Sequence, residues 1–243
     1  MYFIKNKTKI IQSKIKYSRS VKSDCPSNIL ADVPYFAQWE SRDLIMSIFT
    51  HKISPKEDPK WILSGAKSPS EYDAWSGIAC GLACTKMIVA GELGEIIPIV
   101  ELGKRSLSYG VYTQPLSESE GLTYQPYTMF LKKEFDLDAT SVVPLVVEQI
   151  IYELSHGNYV MASVSRHIYQ TPKKPPYKGG HLVLILGYNL NKKELIFHNP
   201  AGTTYATQEY SAISFSDFKR FFDHKGLTIK SRQSLDFLYK MVW

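Results

Sequence analysis

The 243-residue chain has no apolar run near the roughly 18 residues that a membrane-spanning helix requires. Its opening stretch, MYFIKNKTKIIQSKIKYSRS, holds no apolar run longer than four residues before a charge interrupts it, where a secretory signal needs an unbroken apolar segment. These absences set the expectation of a soluble, cytoplasmic protein without a membrane span. Cysteine is scarce as well. The three at positions 25, 80 and 84 cannot close a paired framework, and a Cys80–Cys84 bridge inside one helix strains disulfide geometry, so a reducing compartment is expected. Nor is a metal or other cofactor expected. Structural zinc takes four ligands, and Cys25, some 55 residues before Cys80, is a poor fourth beside Cys80, Cys84 and one histidine.

Acidic residues are missing from positions 1–23, which hold seven Lys or Arg. That arm accounts for the net charge of +6, because positions 24–243 carry 22 basic and 23 acidic residues. The body therefore lacks the basic excess of a phosphate-binding surface, and no nucleic-acid partner is expected. There is no GxxxxGK[ST] loop and no internal repeat, and the cluster TPKKPPYKGG at 171–180 is too short to separate domains. The expected organisation is a basic arm over 1–31 and a single domain over 32–243, with 44% apolar residues in the chain supplying one core.

What is present reads as helices followed by strands. Ser68, Pro69 and Glu71 place a capping residue, a first-turn proline and a glutamate three after the cap, predicting a short helix up to Gly77. A second helix starts near Cys80, with Cys84, Met87 and Ile88 on one face and Gly91 placed to stop it. Further helices are expected over 96–107, 124–135 and 144–157. Short aliphatic strands follow over 158–165, 181–189 and 193–199, with a hairpin at 189–193, then a helix near 214–224 and a strand over 226–231. Helices first and an antiparallel sheet second is an α+β arrangement.

Cys80 is the candidate nucleophile because a helix start offers unpaired N–H groups and partial positive charge that favour the thiolate. Cys84 lies one turn further in, on the apolar stripe, where cysteine acts as a small hydrophobe. The base needs an orienting partner but no sequence proximity to the nucleophile. His181 opens an apolar strand after Gly179 and Gly180, and antiparallel pairing returns Asn199 close to it. His198 adjoins Asn199, but successive strand residues face opposite ways, so only one of that pair can serve the site. His167 lies beyond the end of its strand and is less constrained.

The segments VPYFAQ, ACGLACTKM, GGHLVLILGY and HNPAG, in that order, resemble the soluble relatives of bacteriocin-processing, double-glycine leader peptidases, a family of papain-like cysteine peptidases. The resemblance runs from about residue 32 to 231. It implies a papain-like fold in which an N-terminal helical half carries the nucleophile and packs on a C-terminal antiparallel sheet. It also implies Cys80 as nucleophile, His181 as base, Asn199 as orienter and Gln38 as part of the oxyanion hole. Leu82 stands where proline is frequent in the family, and 41 residues, 39–79, separate Gln38 from Cys80. That stretch is expected to loop out as an inserted helical segment covering one side of the cleft.

The function expected is a cysteine peptidase acting on a peptide or protein through a Cys-His-Asn triad and a thioester acyl-enzyme. The same residues also suit an acyl transferase or transpeptidase, or a catalytically weak peptide-binding module.

Overall fold

The computed structural model describes residues 2–19, 26–114, 116, 121–171 and 173–232. Its centre is a seven-stranded antiparallel sheet. The strands are β1 (Ser27–Ile29), β2 (Ala139–Val142), β3 (Tyr159–Val164), β4 (His181–Asn189), β5 (Glu194–His198), β6 (Ser211–Ser214) and β7 (Phe222–Ile229). Along the sheet the order is β2-β7-β3-β4-β5-β6, while β1 pairs with the far end of β4, Ser27 opposite Asn189 and Ile29 opposite Gly187. β3 and β4 are buried along essentially their whole length, which is why they read as unbroken aliphatic runs.

Helices cover both faces. In chain order they are α1 (Tyr2–Ser18), α2 (Ile45–Phe49), α3 (Pro69–Ser76), α4 (Cys80–Leu93), α5 (Ile99–Leu107), α6 (Tyr124–Phe135), α7 (Val147–Ser155), α8 (Tyr205–Gln208) and α9 (Phe215–Phe221). Alternation along β4 divides the core in two. Leu182, Leu184 and Leu186 pack with α3–α6, whereas Val183, Ile185 and Tyr188 pack with α7 and α9. The α+β papain-like class is as expected, with one addition: a second helical layer closes the other face of the sheet.

Most elements fall where the sequence places them, and the differences have physical causes. α4 runs past Gly91 to Leu93 and ends at Gly94, which takes the left-handed conformation at φ 70°. Gly91 instead lies within the helix, facing the backbone of Asp32 and Val33. α5 starts only after Pro98, and α7 only at Val147, beyond the Pro144 turn. α9 stops at Phe221, so β7 begins four residues earlier than expected. β1, β2 and β6 are absent from the sequence reading because they are three or four residues long and rich in polar side chains. Two elements lie in the segment expected as a basic arm. α1 rests on α7, with Tyr17 and Tyr152 in ring contact, and β1 belongs to the sheet. Cys25 lies outside the described residues.

Among the described residues no single helix is long and apolar enough to cross a membrane. α4 comes nearest in composition, but residues 81–89 of it are buried in the core.

Candidate active site

The sheet side of the site begins with two glycines. Gly179 and Gly180 adopt φ of 79° and 83°, a backbone region costly for any other residue, and a Cβ at Gly179 would meet Asp223 at 2.9 Å. They turn the chain sharply into β4, so that its first residue, His181, is buried at the strand's start. Asn199 follows β5 and is fully buried. His181 Nε2 lies 2.8 Å from Asn199 Oδ1.

The second bond to Asn199 settles which atoms face which. Its Oδ1 also accepts the backbone N–H of Ala201 at 3.1 Å, so an oxygen must stand there and His181 Nε2 must carry the proton it donates. Nδ1 is left with the lone pair and is the nitrogen that can act as a base. Asn199 is itself braced from three sides. Its N–H donates to Gln208 O at 2.7 Å, and its carbonyl accepts from Tyr35 Oη at 2.9 Å and Gly202 N at 3.0 Å.

The neighbouring His198 is fully committed. Its Nδ1 accepts from Tyr210 N at 3.0 Å, which leaves Nε2–H to donate to Val33 O at 3.0 Å. Opposite facing of the two adjacent residues thus divides their work between structure and site. His167 lies in the short 3-10 helix Arg166–Gln170 with its ring against Tyr177, away from the Asn199 contact.

On the helical side, Cys80 is the first residue of α4 and keeps partial access to solvent, while Cys84 one turn later has none. Gly81 explains how the helix comes so close to the sheet. A Cβ there would meet Leu122 at 2.3 Å and Leu182 at 3.2 Å. The Cys80 sulfur is accordingly within reach of the backbone N–H of Leu182, the residue after His181. The start of α4 and the start of β4 meet at one point.

Electrostatics there differ from the sequence expectation. Enough protein surrounds Cys80 for burial to push its thiol pKa up, outweighing the backbone amides of Leu182 and Gly81 and the charge of Arg166, which favour the thiolate. Burial also depresses His181, to about 4, with Asn199 resisting and Arg166 assisting. The expected low-pKa thiol at the helix start is therefore corrected. Burial outweighs the backbone amides at the start of α4, and both shifts favour the uncharged forms of thiol and imidazole.

Gln38 reaches this region despite its 41-residue separation from Cys80. Its backbone N–H donates to Pro200 O at 3.0 Å, and its side-chain Nε2 donates to Ser76 O at 2.8 Å. It thereby ties the Asn199–Pro200 turn to the end of α3, four residues ahead of Cys80. The intervening segment folds back on a single buried carboxylate. Asp58 accepts from Ser41 N at 3.0 Å, Tyr72 Oη at 2.6 Å and Lys60 N at 2.9 Å, as well as from Ser41 Oγ. Burial opposes the charge of Asp58, but these bonds outweigh it and hold its pKa below the usual carboxylate range. Asp58 has no precedent in the sequence reading, because a lone Asp between prolines gives no signal of the partners folding brings to it.

Comparison with known proteins follows the same outline. The sequence profile of the Peptidase_C39 like family matches residues 31–226. Among solved structures, a Bacillus anthracis protein assigned as a C39-like peptidase superposes with a TM-score of 0.50 at 11% identity, covering 85% of this chain and 98% of that one. The peptidase domain of Streptococcus ComA, a bi-functional ABC transporter involved in a quorum-sensing pathway, gives a TM-score of 0.41 at 14% identity, covering 64% of this chain and 93% of that domain. No curated protein matches the chain. The profile spans most of the chain and the papain-like fold agrees with it, so the chain belongs to the Peptidase_C39 like family, and that membership supports a cysteine-peptidase function in general.

Proposed function

We propose that the chain hydrolyses a peptide bond in a peptide or protein substrate, with Cys80 as nucleophile, His181 as acid and base, and Asn199 as the group that orients the imidazole. The observation that carries this reading is the His181–Asn199 bond, which leaves Nδ1 as the proton acceptor on the residue next to the amide that Cys80 meets. As Sγ attacks the substrate carbonyl, Nδ1 takes the thiol proton and then delivers it to the departing amine. The acyl group remains on sulfur as a thioester. Water then attacks, giving its proton to Nδ1, and the acid product leaves as the thiol is restored.

The negative charge that develops on the substrate oxygen needs donors about 3 Å away. The backbone N–H of Cys80, at its helix start, supplies one. Gln38 is the second, since its amide lies by the residue four before Cys80 and one of its two N–H groups is not used by Ser76.

The test is covalent labelling with a peptide-derived electrophile followed by mass mapping, together with turnover of a peptide mixture by wild type and Cys80→Ala. Labelling at Cys80 and loss of all cleavage in the variant are expected. Cleavage that survives in Cys80→Ala would falsify the proposal. Amine-containing products from added nucleophiles would redirect it to acyl transfer on the same residues.

A further inference from the structure

Beside the site, between the inserted segment and the end of β3, is a cavity of about 410 Å³. Its wall includes Trp39, which follows Gln38, and Gly77, which follows the Ser76 carbonyl that Gln38 holds. The opposite wall is Arg166, two residues past Val164, and Val164 pairs with His181 in the sheet. The cavity is therefore lined by chain neighbours of Gln38, Ser76 and the His181 partner strand, and it is roomy enough for one large side chain.

Its charges are unequal. Asp73 is the carboxylate of the lining, and Lys56 pairs with it at 3.6 Å. Arg166 forms no ion pair among the described residues. Its guanidinium lies over the Phe49 ring, 5.6 Å from the centroid, a cation–π contact that uses none of its N–H donors. Its charge is felt at both Cys80 and His181, which places it within electrostatic reach of the reaction centre. Trp39, only 4% exposed, contributes an apolar ring to the wall. A guanidinium without an ion pair, set between aromatic walls, makes a site for a carboxylate.

We propose that this cavity selects peptides with a carboxylate close to the scissile bond, held by Arg166. The proposal rests on the peptidase reading of the adjacent site and names its substrate class. The carboxylate can belong to an Asp or Glu side chain or to a chain terminus, and the arms of the test separate these sources.

The experiment selects bound peptides from a hexapeptide library, read by mass spectrometry, using full-length Cys80→Ala protein so that nothing is consumed. Half of the library has free and half amidated C-termini. Asp- and Glu-containing peptides are expected to be enriched about tenfold or more over their Asn and Gln counterparts, as a charge-assisted hydrogen bond allows. Adding Arg166→Ala should abolish that enrichment, Arg166→Lys should keep its direction, and Arg166→Glu should reverse it toward Lys and Arg. Melting temperature confirms that each variant is folded, and Arg166→Lys and Arg166→Glu keep the question open to decision where Arg166→Ala does not fold. Enrichment confined to free C-termini assigns the carboxylate to a chain end; enrichment within amidated peptides assigns it to side chains. Equal recovery of acids and amides, or a preference untouched by Arg166→Glu, overturns the proposal. Cleavage of the same library by the Cys80 protein is scored separately. A protein that selects acids but cuts none loses the peptidase reading and keeps this one.

Discussion

The two walls of the cleft are built on different principles. On the sheet wall, His181 and Asn199 stand 18 residues apart around one hairpin, and the β4–β5 ladder brings them together. On the helical wall, Gln38 and Cys80 are separated by a segment in which Asp58 gathers Ser41, Lys60 and Tyr72 around one buried charge, beside the core packing of Trp39, Ile45 and Ile48. A ladder positions side chains through many equivalent backbone bonds. A buried carboxylate does it through a few strong ones, each costly to lose. Damage to the His181–Asn199 pair should therefore appear first in rate, and damage to the helical wall in rate and stability together.

The largest expected effect contrasts two buried histidines of the sheet wall. His181→Ala should lower turnover by at least about 10⁴-fold, because nucleophile and base act as one unit. Its melting temperature should change little, as the side chain makes a single bond. His198→Ala should do the opposite, since it removes the links to Val33 and Tyr210 and leaves the reacting atoms in place. Measuring kcat and thermal unfolding on both variants decides it. Turnover that survives in His181→Ala but not in His198→Ala would reverse their roles.

Next in size is Gln38→Ala on the helical wall. If its amide stabilises the developing oxyanion, kcat should fall about 10²-fold with little change in KM. The Ser76 contact gives an alternative outcome that sharpens the comparison of walls. Unchanged kcat with a lowered melting temperature would make Gln38 only a brace between α3 and the Pro200 turn.

Asp58→Asn should cost about 2–3 kcal/mol, the scale of losing charge-assisted bonds in a buried network. Acid unfolding separates the two walls by pH. His181 has a folded pKa of about 4, below its ordinary 6.5, so between those values the unfolded chain takes up a proton that the folded chain refuses. Stability contributed by the neutral, buried imidazole is thus lost as pH falls from 6.5 toward 4. Asp58 is also depressed, from an ordinary value near 3.8, so its contribution is present above that value and is lost below it, through its folded pKa. The Asn variant should lose the lower window and keep the upper one in a denaturant series across pH. Identical acid profiles for wild type and Asp58→Asn would remove Asp58 as the organiser of residues 39–79.

How much of this was readable follows the same division. α6 spans the expected 124–135 and β4 the expected 181–189, because each has a strong apolar period or run with its own punctuation. The nearness of His181 and Asn199 follows from hairpin logic, which is local. By contrast, the small polar strands at the sheet's margins carry no period to detect, and nothing near Asp58 announces Tyr72 or Ser41. Arg166 begins a 3-10 helix with buried Ile168, an element too short to carry a period in the sequence. The thiol environment was missed for a related reason. Sequence shows that Cys80 starts a helix, but how much protein surrounds the sulfur is set by Leu182 and Leu122, which come from elsewhere in the chain.

The smallest expected effect belongs to the two cysteines one turn apart on α4. Cys84 is fully buried, its thiol 3.8 Å from Leu182 O, and it faces the apolar cluster rather than the cleft. Cys84→Ala should leave kcat within about twofold of wild type, since removing one buried sulfur costs packing and not chemistry. Alkylation by iodoacetamide tests the same difference without mutation. Cys80 should react and Cys84 should not, because only Cys80 retains access to solvent. The pH dependence then reports which force governs the Cys80 sulfur. Burial pushes its pKa up, so the labelling rate of the free protein should still be rising above pH 8, where a thiol activated by the helix start would already have levelled off. A plateau reached below neutral pH would mean that a thiolate–imidazolium pair forms before substrate arrives, and the order of proton transfer and attack proposed for Cys80 and His181 would have to be exchanged.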